Sequence, residues 1–210
     1  YKEGMGELVE KKSRFIAQIR PVKSEEEALA FVEETRKKYW DARHNCYAYI
    51  LKGEGPTPTA RCSDDGEPSQ TAGKPMLDVL MGEGLMDVCA VVTRYFGGTL
   101  LGTGGLVRAY SGAVKEGLAN AQILEKKQGV RMEVITDDNG VGKIQYLAAQ
   151  EVIDTLDSQY TDKVVFIFLV PEEQEESFQA KLVESTNGRA VMRTYGEVYY
   201  GKCGGKLILL

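Results

Sequence analysis

The chain has 210 residues, a formal net charge of −5, 43% hydrophobic side chains and 27% charged ones. That length fits one or two domains with a buried core. It excludes a protein that is basic throughout, so any grip on a nucleic-acid backbone must come from a local patch. No apolar run approaches the roughly 20 residues that span a bilayer, and the longest, Val164 to Val170, is of strand length.

Lys12 to Arg20 alternates, with Phe15, Ala17 and Ile19 on one face, and predicts a strand ended by Pro21. Ser24 followed by Glu27 is a capping box, and Ala28, Leu29, Phe31 and Val32 recur at helical spacing, predicting a helix over Glu25 to Lys38. Asn45 to Leu51 is rich in β-formers and predicts a second strand. Lys52 to Lys74 is polar and punctuated by glycine and proline, a loop long enough to suggest a function. Pro75 suits the first position of a short helix reaching about Met81. Asp87 to Tyr95 is nearly continuously apolar, as in a central strand buried on both faces. Five glycines follow, Gly97, Gly98, Gly102, Gly104 and Gly105, before a helix predicted to begin near Leu106.

Beyond a link at Gln122 to Lys127 the rhythm is simpler: a strand over Val130 to Ile135, a helix over Gly140 to Gln150, and strands over Val152 to Asp157 and Val164 to Val170. A helix over Glu172 to Glu184, acidic where the helix dipole favours it, and a strand over Ala190 to Tyr199 complete the order β-α-β-β-α-β, which is ferredoxin-like. The fold class expected is therefore α+β, with a first domain over residues 1–126 and a ferredoxin-like domain over residues 127–210.

Two clusters carry candidate chemistry. Arg94 closes the strand before the glycines and Arg108 falls in the helix after them, so both can grip a phosphate or carboxylate bidentately. Gly97, Gly98, Gly102, Gly104 and Gly105 let backbone approach a ligand, although no dinucleotide fingerprint or P-loop is complete. The competing reading has the glycines making a tight turn and the arginines paired with Asp64, Asp65 or Glu67. Those three carboxylates, within Ser63 to Pro75, can bind Mg²⁺ or act as acid and base, or simply make turns. His44 is the single histidine, so any imidazole chemistry depends on it.

Two basic runs, Lys11-Lys12-Ser13-Arg14 and Arg36-Lys37-Lys38 before Tyr39-Trp40, offer cations beside aromatics, as single-stranded RNA binders do. The second also suits a helix C-terminus. Cys46, Cys62, Cys89 and Cys203 form no C-x-x-C pair and no zinc spacing, and Tyr1 to Met5 has no apolar signal core. The expectation is a reducing, cytoplasmic setting with no metal and no cofactor.

Asp64-Asp65-Gly66-Glu67-Pro68-Ser69, Thr71-Ala72-Gly73-Lys74-Pro75, Val92-Thr93-Arg94-Tyr95-Phe96-Gly97-Gly98, and Leu101-Gly102-Thr103-Gly104-Gly105-Leu106-Val107-Arg108-Ala109-Tyr110 resemble the signature of the IMPACT/YigZ family. Arg43-His44-Asn45-Cys46-Tyr47-Ala48 resembles it too. One departure is Gln70, where the family pattern has glycine; if that glycine serves a positive φ, glutamine strains it. The resemblance implies a bacterial two-domain member. Its first domain would be ribosomal-protein-like, of order β-β-β-α-β-α, and its second similar to a C-terminal domain of elongation factor G. Eukaryotic relatives restrain the starvation-activated initiation kinase by competing for its activator, a partner system that is eukaryotic; what the resemblance implies here is a translation setting, since both halves resemble domains found on ribosomes or their factors.

Three functions are thus carried forward. The first is a non-enzymatic, translation-associated regulator without catalytic residues, binding RNA, the ribosome or a translation-related protein, and neither DNA nor membrane. Its surface would run from Asp64 to Arg108, with His44 beside it. The second is an enzyme acting on a phosphorylated or carboxylated small molecule held by Arg94 and Arg108. The third is an adaptor using the open face of the ferredoxin-like sheet.

Overall fold

A computed structural model, describing residues 1–210, divides the chain into two units, Tyr1–Ile123 and Leu124–Leu210. The first opens with an antiparallel hairpin of β1 (Gly4–Glu10) and β2 (Ser13–Pro21). Glu10 pairs with Ser13, so Lys11 and Lys12 alone turn the chain, at φ 45° and 65°. Positive φ at both positions gives the turn twist that matches two paired strands, and glycine or asparagine adopts it far more readily than lysine does.

Helix α1 (Glu25–Lys38) follows, capped by the Ser24 hydroxyl, which accepts from the Glu27 amide. Then come β3 (His44–Leu51), β4 (Thr59–Ser63), α2 (Gly73–Gly82), β5 (Val88–Tyr95) and α3 (Gly102–Ala119). The five strands order as β1-β2-β5-β3-β4, antiparallel throughout. β5 lies central and buried on both faces, as its apolar run predicts. Val88, Ala90 and Val92 join Phe15, Ala17, Ile19, Met76 and Tyr110 beneath α2 and α3. Cys89 and Val91 face the other way, against Phe31 and Val32 of α1. The unit is therefore a sheet between one helix and two.

The class is α+β, but the element order corrects the implied β-β-β-α-β-α: it is β-β-α-β-β-α-β-α. β1 hides in Gly4-Met5-Gly6, which reads as a turn, and β4 hides in the polar loop. α3 also begins four residues before Leu106, so Gly102, Gly104 and Gly105 belong to its first turn.

The second unit comprises β6 (Lys127–Thr136), α4 (Asp138–Gln150), β7 (Asp154–Tyr160), β8 (Val164–Pro171), a 3₁₀ turn (Glu172–Gln174), α5 (Glu175–Thr186), β9 (Val191–Cys203) and β10 (Lys206–Leu209). Its sheet order is β10-β9-β6-β8-β7, the ferredoxin-like arrangement with β10 added at one edge. Met132, Val134, Phe166, Phe168, Ile144, Phe178 and Leu182 form its core between the sheet and its two helices. Val152 does not start β7 as its β-branching suggests. It lies just beyond α4, at φ 57° and exposed. No helix is long and apolar enough to cross a membrane.

Candidate functional site

Strand register gathers the motif residues at one end of the first sheet. Arg94 of β5 pairs with His44 of β3 and with Phe15 of β2, and Ser63 at the end of β4 pairs with Tyr47. The turn Lys11-Lys12, the loop before β3, the loop after β5 and the segment Asp64 to Gln70 therefore share this end. The first turns of α2 and α3 leave from it. Gly97 locks two of these loops together: a Cβ there would overlap the Lys12 carbonyl, and its amide donates to the Ser13 hydroxyl at 3.1 Å.

Glu67 lies at the centre, 8% exposed. Arg94 Nη1 donates to Glu67 Oε1 at 2.6 Å, and the Tyr110 hydroxyl donates to the same oxygen at 2.7 Å. Arg94 is itself 7% exposed, with its guanidinium 5.6 Å from the Phe15 ring centre and 5.7 Å from that of Phe96. Its Nε is buried without a hydrogen-bond partner. Burial pushes the Tyr110 hydroxyl far up from its ordinary pKa, so Tyr110 remains a donor to Glu67. Burial likewise raises the Cys46 thiol, which donates to the Asp64 carbonyl at 3.0 Å and stays protonated.

The neighbouring carboxylates face elsewhere. Asp64 accepts from the amides of Gln70 at 2.9 Å, Ala72 at 3.1 Å and Gly73 at 2.8 Å, supplying the cap that Ala72, at the N-terminus of α2, lacks in its own side chain. Asp65 accepts from the Asn45 amide at 2.8 Å and from Arg36 at 3.3 Å. The three acids thus diverge, each with its own partners, and do not converge on a point where Mg²⁺ would meet all three. His44 Nδ1 lies 2.8 Å from the Asp65 carbonyl oxygen. That oxygen can only accept, so Nδ1 carries the proton and Nε2 faces Glu67 Oε1 at 3.9 Å.

The two arginines have different circumstances. Arg94 is enclosed and committed to Glu67, the pairing that the competing reading describes. Arg108 is exposed on α3, in no ion pair, beside Gly104. Gly98 and Gly102 occupy left-handed backbone, at φ 89° and 72°, in open surroundings. Gln70 is left-handed too, at φ 62°, which satisfies the condition under which glutamine strains the loop. It borders an open groove of about 520 Å³ between α2 and α3, flanked by Lys74, Asp78, Val107 and Lys115.

Tyr110 and Cys46 belong to this network although sequence spacing places them only in the core. Their polar atoms meet the site because strand and helix ends converge there. Around the buried network stands a rim of exposed apolar side chains: Trp40 at 82%, Leu100 at 81% and Phe96 at 57%.

Comparisons with known proteins agree with this layout. The Impact N-terminal domain model matches residues 11–118, and a domain of unknown function (DUF1949) matches residues 139–189. The chain is 41% identical over 197 residues to the IMPACT family member YvyE of Bacillus subtilis, covering 94% of this chain and 89% of that one. It is 39% identical over 178 residues to the IMPACT family member YigZ of Escherichia coli, covering 85% and 87%. A solved structure described as that of an hypothetical protein shares 35% identity at a TM-score of 0.54, covering 93% of this chain and 98% of that one.

Proposed function

This chain belongs to the IMPACT family, and on that premise we propose that it is a non-enzymatic regulator associated with translation. It holds RNA, the ribosome or a translation-related protein against the surface running from Asp64 to Arg108. The observation that carries this reading is the closure of Glu67, Arg94 and Tyr110 on one another. An arginine that clamps an anionic ligand brings it an uncompensated positive charge, whereas the charge of Arg94 is already met by Glu67 in a buried pair. What this end of the unit offers to a partner is its outer rim: exposed rings, exposed glycine backbone and the unpaired Arg108. The small-molecule enzyme would need Arg94 and Arg108 to act together, and Arg94 would first have to abandon Glu67.

The test is co-sedimentation with ribosomes, with free RNA and with purified translation factors over a salt series, beside an Arg108→Glu variant. Arg108 is exposed, so the variant is expected to fold. Salt-sensitive association weakened at least several-fold by the reversal supports the reading. Absence of association with all three at low salt overturns it.

A further inference from the structure

We propose that the rim at the sheet end of the first unit is a seat for single-stranded RNA, with bases stacked on Trp40 and Phe96 and phosphates met by Lys11, Lys12, Arg43 and Arg108. This deepens the translation reading and rests on it for the choice of RNA over DNA.

Charge argues first. The chain is acidic overall, yet these four cations are all exposed and none enters an ion pair. The carboxylates at this end of the sheet have other partners. Asp64 caps α2, Asp65 holds Asn45 and Arg36, Glu67 holds Arg94, and Asp41 accepts from the Tyr95 hydroxyl at 2.7 Å. Glu10 alone is left facing solvent beside the turn. Four cations without ion-pair partners therefore stand at one end of a protein that is negative overall.

The rings argue second. Trp40 is the chain's single tryptophan and one of its most exposed large side chains, and Phe96 remains exposed although Arg94 lies against it. Rings raised on loops among cations suit unstacked bases, which offer π-faces that a duplex conceals.

The turn supplies a third argument. Lys11 and Lys12 both hold left-handed backbone, where asparagine and glycine are the favoured residues. Two lysines at the turn place two ammonium groups at the tip of the hairpin, at this end of the sheet.

Trp40 provides the readout. The full chain is titrated with an unstructured RNA oligonucleotide of about 12 nucleotides, within the usual span of such sites, and with the matching duplex. Trp40 emission is followed over a salt series. The expected result is saturable quenching by the single strand, much weaker response to the duplex, and a log–log salt slope of about −3 for four phosphate contacts. Phe96→Ala is expected to weaken binding about tenfold. Lys11→Asn/Lys12→Gly is expected to reduce the slope to about −1.5 while raising the urea midpoint, so its lost affinity cannot be ascribed to unfolding.

Absence of quenching, equal binding of the duplex, or unchanged affinity in both variants overturns the proposal. If ribosome association persists while the oligonucleotide fails, the RNA seat falls and the translation reading stands. If the oligonucleotide, ribosomes, free RNA and factors all fail to associate, both readings fall together.

Discussion

Glu67 and Arg94 show at the scale of a residue why this motif resists change. Each is almost entirely removed from water, so each depends on the other for solvation. Removing one leaves a charge buried without its partner, and Glu67→Ala or Arg94→Ala is expected to lose about 3–5 kcal/mol in urea unfolding. The double change Glu67→Leu/Arg94→Met removes both charges and is expected to lose much less than the sum of the two single changes. Additive losses would show that the pair is not coupled. Gln70 gives the opposite sign. Its left-handed backbone costs a non-glycine residue about 1–2 kcal/mol, and glycine returns about 0.4–1 kcal/mol to the unfolded chain. Gln70→Gly is thus expected to stabilise by roughly 0.5–1 kcal/mol, read as a higher urea midpoint at unchanged slope.

Among the elements, α2 depends on a residue outside itself. Asp64 takes the amides of Gln70, Ala72 and Gly73, which binds the loop to the helix start. Asp64→Ala is expected to cost about 2 kcal/mol, at the upper end of helix-cap losses, with Asp64→Asn recovering part of it. Full stability in the alanine variant would refute the capping role. α3 and β1 meet through small residues: a Cβ on Gly6 would fall against the backbone of Glu116 and Gly117. Gly6→Ala must therefore push the hairpin off the helix. Such overpacking typically costs about 1–3 kcal/mol, and thermal unfolding would show it as a lowered Tm.

On the scale of the whole molecule, two sheets with separate cores share one chain. The first unit's core groups draw only on residues before Ile123, and that of the second only on residues after Leu124. Phe166 is fully enclosed in the second core, stacked 5.6 Å from Phe168. Phe166→Ala is expected to cost about 3–5 kcal/mol, followed as loss of far-ultraviolet circular dichroism at lower denaturant. The proposed binding rim belongs to the first unit alone, where four loops meet at one sheet end. No stretch of sequence contains it, since the loops carrying Lys11, Trp40 and Phe96 are brought to one sheet end by the antiparallel register of β2, β5 and β3.

What the sequence determined by itself was whatever local periodicity and chemistry enforce. The Ser24 cap, the α1 stripe, the doubly buried β5 and the ferredoxin-like order are each written in a few neighbouring residues. So was the condition on Gln70, because φ is a property of one residue and its turn. The tertiary structure alone decided which strands pair, and hence that β1 and β4 exist: glycine-rich or charged edge strands have little intrinsic signal and are held by their neighbours. It also decided the partner of each charge. Spacing made Asp64, Asp65, Glu67, Arg94 and Arg108 equal candidates for one site. Burial and distance then separated an internal pair, two loop-organising acids and one free cation, because electrostatic partnership depends on solvent access and separation in space, neither of which is a local property of the chain.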